Sequence, residues 1–431
     1  MFRNRTVQNA KWIIGCKAVQ ALLQLVVGML SARYLGPSNY GLINYAASVV
    51  AFLVPVMQLG LYATLVQEYV ATPEREGEIM GTALVLNFLS GAACIVGVTA
   101  FSMVSGSGNP VTVAVCALYS TQLLFQAMEM LQCWFQAKLL SKYSSMAMLG
   151  AYVAVSAYKI WLLATGKSVY WFALSHSVEY GMAGIGMLVL YRKVGQQKLR
   201  FSFRTGRELV SRSKYYIPAN MMVTVFQSTS YVMLKLMMGD ADNGFYAAAV
   251  TCTGLPAFVY TAIVDSARPT ILESRKQSVA AFEKNVSRLY AIVIWLSVVQ
   301  SIGFTLLAKP IVWILYGDAY LNAVPVLRIQ VWNIAFSYMG AVRNIWILGE
   351  GKYPLLWRIN LTGAVTNVVL NAVLIPLWGA CGAAVAAVLT QMITNFVLGF
   401  LMGGIRRNNR LILRGMNPRI LLELAETSRA N

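Results

Sequence analysis

The stretch WIIGCKAVQALLQLVVGMLS, residues 12–31, carries one charge, Lys17, in an otherwise apolar or neutral run. At about 1.5 Å per residue a helix of this length covers roughly 30 Å, the thickness of a bilayer's hydrocarbon core. Arg3, Arg5 and Lys11 precede it, as basic residues precede a secretory signal. The run is longer than a signal's apolar region and more such runs follow, so it is read as an uncleaved first spanning helix.

The rest of the chain has the same character. Of its 431 residues, 58% are hydrophobic and only 12% charged, and the mean hydropathy is +0.60, values outside the range of a soluble domain. Cutting at charged or Gly/Pro/Asn-rich breaks leaves about twelve segments long enough to span. They run near 12–32, 40–66, 79–104, 110–137, 143–164, 168–191, 213–238, 244–268, 285–308, 322–349, 353–376 and 380–403. The expected fold is therefore an all-α membrane protein whose surroundings are membrane lipids.

The formal net charge of +19 lies between these segments rather than on one patch. It sets topology, and nucleic acid is excluded as a partner. The termini and even-numbered loops hold most of the Lys and Arg, whereas the odd-numbered loops hold only Arg33, Lys167 and Lys309. Both termini are thus expected on the cytoplasmic side. The organisation expected is a first lobe of six helices over 1–197, a basic linker over 198–212, a second lobe of six over 213–403 and a basic tail over 404–431. The linker, with Lys198, Arg200, Arg204, Arg207 and Arg212, suits a surface of anionic lipid.

The halves echo each other at an offset of 203: Gly36-Pro-Ser-Asn-Tyr-Gly41 matches Gly239-Asp-Ala-Asp-Asn-Gly244, and Gln24 matches Gln227. Both turns fall on the same side, which makes the repeat a parallel one. Two such bundles around a central cavity would form an alternating-access carrier.

Ionisable groups inside spans cost several kcal/mol unless a cavity or partner receives them. The cations are Lys17, Lys159, Lys235, Arg328, Arg343 and Arg358, and the clearest acids Glu129, Glu179 and Asp265. A cavity lined by the excess cations would attract an anion such as a diphosphate. Lys17, Arg328 and Arg343 lie deepest and are the first candidates, with Lys235, Gln24 and Gln227 beside them on polar helical stripes. Glu129 and Asp265 are candidates for ion coupling, or counter-ions of those cations. Gln122, Gln126, Glu129, Cys133 and Gln136 share a face, which reads either as a cavity wall or as interhelical hydrogen bonding. His176 is the only histidine and is read as a packed residue. The six cysteines lack metal or disulfide spacing and are read as small core side chains.

Three stretches carry a resemblance: RYLGPSNYGLINYA from Arg33, LYGDAYLNAVPVL from Leu315 to Leu327, and NVVLNAVLIPLWGACGAAVAAVLT from Asn367 to Thr390. Together they resemble the polysaccharide transporter family, the Wzx-type O-antigen and exopolysaccharide flippases of the MOP exporter superfamily. The resemblance implies twelve helices in two six-helix lobes. It also implies transfer of an undecaprenyl-diphosphate-linked oligosaccharide across the bacterial cytoplasmic membrane, with ion coupling and with a polysaccharide polymerase and chain-length proteins as partners. No cofactor is expected. A multidrug or metabolite exporter of the same superfamily is the alternative, although carriers of cations should line their cavities with acids. A membrane glycosyltransferase or polymerase would need clustered carboxylates or an extramembrane catalytic segment. The only acidic cluster, Glu68, Glu74, Glu76 and Glu78, is read as a solvated surface.

Overall fold

The computed structural model describes residues 2–105, 109–195 and 197–420, excluding the side chains of residues 2–14, 17 and 18. Every regular element among them is helical. The chain divides into two compact units, Met1–Ser228 and Thr229–Asn431. The division falls inside the helix Tyr216–Met238 and not in the basic linker, because the linker is packed onto the first unit.

In the first unit the helix Phe2–Met57 breaks at Gly36 (φ 72°, ψ 171°) and packs chiefly against Ser141–Ala164. Tyr62–Ala71, Glu76–Ser105, the bent helix Pro110–Ala137, Val169–Val194 and the short Phe203–Ser213 complete the unit. Near its basic end Leu61, Leu65, Tyr69, Met80, Trp134 and Phe135 form a buried cluster. The second unit holds Asp240–Gly254 and Ala257–Gln277, bent by 45° at their junction. Val279–Leu306, Ala308–Tyr316, Ala323–Gln330, Asn333–Gly349 and Pro354–Met392 follow. Pro354–Met392 breaks at Gly379 and runs into a π-helical turn, Ile393–Val397, before the final described helix Arg406–Gly415. Phe282, Tyr290, Trp346, Leu411 and Ile412 lie in its core.

By length and apolarity alone six helices among the described residues can cross a membrane, or seven with the bent pair counted as one. Two of the six, Val19–Ala71 and Pro354–Leu401, have 53 and 48 residues, about twice a bilayer crossing, and each contains a glycine break. The helices Val169–Val194, Tyr216–Met238 and Ala323–Gln330 with Asn333–Gly349 fall outside this count. They are the segments that hold Glu179, Lys235, Arg328 and Arg343. Large apolar side chains such as Leu22, Val96 and Val299 are about two-thirds exposed, as residues facing lipid are.

The repeat appears in backbone geometry. Gly36 (φ 72°, ψ 171°) and Gly239 (φ 102°, ψ −173°) share one unusual conformation at the same place in each half. Both φ values lie where a Cβ is strained, which explains why the two turns place glycine there.

Candidate functional site

Within the first helix the apolar residues Val19, Leu22, Val26 and Leu30 are exposed on one face. Gln20 and Gln24 lie on the opposite face, where Gln24 is exposed. A helix with lipid on one side gains nothing by exposing an amide on the other unless water or a polar ligand meets it. Gln227, its counterpart in the repeat, is exposed too. The backbone of Lys17 continues the Gln20 and Gln24 stripe, but its side chain lies outside the described residues.

The remaining candidates divide by partner. Lys235 is paired with Asp240 at 2.5 Å beside the Gly239 turn, so it is a neutralised turn group and not an uncompensated cation. Asp265 pairs with Arg268 at 3.4 Å, with both side chains about half exposed. Arg328, Arg343 and Arg358 have no carboxylate within ion-pair distance among the described residues. All three are in the second unit, and Arg328 and Arg358 are exposed.

Arg343 is 5% exposed. Its Nη1 donates to the Thr394 carbonyl at 2.9 Å and to Asn395 Oδ1 at 2.7 Å, and its Nη2 to Asn344 Oδ1 at 3.1 Å. Its Nε is buried without a partner. The guanidinium thus sits against the π-helical turn Ile393–Val397. Such a turn frees a carbonyl from the helical ladder, and an arginine supplies the missing donor. Gly340 permits this approach, since a Cβ there would lie 2.6 Å from Asn395 Oδ1. Sequence reasoning also missed Asn367 and Asn371, buried in the run NVVLNAV. Asn371 Nδ2 donates to Ser230 Oγ at 3.1 Å and to Asn367 Oδ1 at 2.9 Å. The signal was their i, i+4 spacing on a single helical face.

In the first unit Gln122, Gln126 and Cys133 are buried inside the bundle, and Gln126 Nε2 donates to Glu129 Oε2 at 3.3 Å. That bond stays within the helix, whereas Cys133 Sγ reaches the Tyr62 carbonyl of a neighbouring helix at 4.0 Å. His176 packs against Tyr119 with ring centroids 4.7 Å apart and the planes tilted by 40°, and Lys159 lies within electrostatic reach of His176 and Glu179. Among the described residues Lys159, Glu129 and Glu179 form no ion pair with one another.

Of the acidic cluster only Glu74 is exposed as a solvated surface would have it, and for Glu68, Glu76 and Glu78 that expectation is corrected. Glu76 is 7% exposed, accepts from Trp134 Nε1 at 2.8 Å and pairs with Lys138. Glu68 pairs with Arg212 at 2.6 Å, and Glu78 pairs with Arg75 at 3.0 Å while accepting from Thr205. The Thr205 hydroxyl, then Arg75, hold the Glu78 carboxyl below its ordinary range. Two of these carboxylates meet the linker, Glu68 through Arg212 and Glu78 through Thr205.

Comparison with known proteins gives the class first. Over 96% of this chain and 92% of the other, the fold is similar to the lipid II flippase MurJ in its inward closed conformation, with a TM-score of 0.68 at 11% identity. An inward-facing multidrug resistance MATE family transporter of the MOP superfamily is similar over 92% of this chain and 96% of its own, with a TM-score of 0.66 at 13% identity. The fold is thus of the kind these two membrane transport proteins share. Residues 6–275 match the family described as "Polysaccharide biosynthesis protein", and the chain belongs to that family. A putative O-antigen transporter of Salmonella typhi is 19% identical over 212 residues, 44% of this chain. The match spans about half of that relative's length, 49%.

Proposed function

We propose that this protein is a flippase that carries a polyprenyl-diphosphate-linked oligosaccharide, of the undecaprenyl type, across the bacterial cytoplasmic membrane for surface polysaccharide assembly. The observation that carries the reading is the family match over residues 6–275. The likeness to a lipid II flippase supports it, since lipid II names a lipid-linked intermediate. So do Arg328 and Arg358, exposed in the second unit, whose planar donors suit a diphosphate, and the exposed amides Gln24 and Gln227, which suit glycan hydroxyls.

In this mechanism the headgroup enters an inward-open state, Lys17, Arg328 and Arg343 offset the diphosphate charge, and the tail stays in lipid. The change to the outward-open state follows as alternating access. Lys235, held by Asp240, would contribute only if that pair opened on binding. Glu129 and Asp265 are the proposed ion-coupling groups. The excess of Lys and Arg in the termini and even-numbered loops supports cytoplasmic termini, and a polysaccharide polymerase and chain-length proteins would act downstream of the transfer.

The test is transport of fluorescent undecaprenyl-diphosphate oligosaccharide in proteoliposomes, read by exposure to an external glycosidase. Protein-dependent exposure is expected. Arg328→Ala should slow it about tenfold, the cost of one charge-assisted contact, with insertion unchanged. Export of soluble cations without glycolipid exposure would favour the multidrug alternative.

A further inference from the structure

The helix Arg406–Gly415, sequence RRNNRLILRG, contains no acid and separates its residue types by face. Asn408, Asn409, Leu411, Ile412 and Gly415 point inward and are buried, whereas Arg406, Arg407, Arg410, Leu413 and Arg414 are exposed. The inner face is fixed to the second unit. Tyr290 donates to Asn408 Oδ1 at 3.0 Å, Ser287 to the Leu411 carbonyl at 3.0 Å, and Asn409 Nδ2 to the Phe396 carbonyl at 2.6 Å. A Cβ on Gly415 would meet Tyr290 Cβ at 2.7 Å, so the helix lies flat against its support.

Its depth in the membrane follows from the chain. The last turn of the preceding span, Leu398–Leu401, exposes Phe400 and Leu401, and the Arg406 guanidinium donates back to the Phe400 carbonyl at 3.4 Å. The helix therefore begins at the level where apolar side chains stop meeting hydrocarbon, which is the headgroup layer. Arg407 is paired with Glu283. Arg406, Arg410 and Arg414 stand one turn apart on the outer face with no carboxylate within ion-pair distance among the described residues. Exposed Lys284 lies next to Glu283 on the supporting helix and adds charge of the same sign.

We propose that the outer face of Arg406–Gly415 is a binding surface for anionic phospholipid headgroups, with Arg406, Arg410 and Arg414 contacting phosphates and Leu413 entering the acyl boundary. A rigid row of guanidinium forks at headgroup depth matches phosphodiesters two oxygens at a time. An acidic protein segment would neutralise the charge equally well but would leave the apolar Leu413 exposed at the acyl boundary. This surface does not depend on which substrate the protein carries.

The test uses the full chain, purified in detergent and titrated with phosphatidylglycerol or phosphatidylcholine, with bound lipids counted by native mass spectrometry. Wild type should retain phosphatidylglycerol in preference, and R410Q/R414Q should bind it at least about tenfold more weakly, given the usual strength of a basic residue at an anionic surface. R192Q/K193Q, which removes the same charge from an exposed helix end, should bind as wild type. High salt should release the lipid from wild type, a readout that needs no variant to fold. Equal binding of the two lipids, equal loss in the two double variants, retention in high salt, or displacement by polyglutamate at matched charge would overturn the proposal.

Discussion

The helices Phe203–Ser213 and Arg406–Gly415 begin 203 residues apart, the offset that relates Gly36 to Gly239, yet they are held in different ways. Each is basic and short, and each docks on a long helix of its own unit, Glu76–Ser105 for the linker and Val279–Leu306 for the tail. The linker is fastened by backbone and charge. Arg200 N donates to the Gly77 carbonyl at 3.1 Å, Ser202 N to Thr82 Oγ1 at 3.0 Å, and Arg212 pairs with Glu68 at 2.6 Å. The tail is fastened mainly by buried neutral groups and by Leu411 and Ile412 in the core. Both leave arginines outside, Arg204, Arg207 and Arg212 on the linker, but the linker also leaves aromatic residues there, with Phe201 52% and Phe203 81% exposed. Helices at equivalent places along the two halves are thus held by a charged latch in one and by buried neutral groups in the other.

The difference is sharpest where backbones touch. A Cβ at Gly81 would lie 2.4 Å from the Arg200 carbonyl oxygen and 2.7 Å from its nitrogen, so Gly81→Leu must expel the linker. A loss of about 3 kcal/mol is expected from such overpacking, seen as a lower melting temperature with new proteolysis near Lys198. Gly415→Leu should do the same to the tail and leave the linker protected. If either variant loosens both helices, the two dockings are not independent.

A smaller effect is expected from Asn408→Leu, which strips the buried Tyr290 hydroxyl of its acceptor. About 1–3 kcal/mol should be lost, with faster amide exchange confined to 406–415. The linker has its counterpart in acid. Because Glu78 titrates below its ordinary value of 4.5, its contribution to docking is complete above that pH and disappears as pH falls below it. Amide exchange across 203–213 should therefore rise on acidification before exchange across 406–415 does. Simultaneous release would remove the distinction between a charged and a neutral latch. The smallest change is expected from Arg212→Ala, whose side chain is 63% exposed in its pair with Glu68. Exposed pairs contribute about 0–1 kcal/mol, so a melting shift at the limit of detection, abolished by salt, is the expected result.

Much of the fold could be read from one dimension. Runs such as 12–31 announce their length and apolarity, and the Gly36 and Gly239 turns announced the repeat that their backbone angles display. The polar interior was legible in kind but not in pairing. Lys235 looked like a free cation because Asp240 belonged, in the linear view, to the turn. Arg343 was singled out for its depth, but its partners Thr394 and Asn395 lie on another helix in a π-helical turn that no residue type signals. The Glu68 to Glu78 cluster was misread for the same reason, since Lys138, Trp134, Thr205 and Arg212 come from distant parts of the chain.

What the sequence determined by itself is the solvent of this protein, because hydrophobic length and charge position are properties of contiguous residues. It also determined the family. Only the tertiary structure decided which charges are neutralised, with Lys235, Glu76 and Glu68 satisfied and Arg328, Arg358 and the outer face of the tail left open. Electrostatic pairing acts over a few ångströms in space whatever the separation along the chain, and proximity of that kind exists only once the helices have packed.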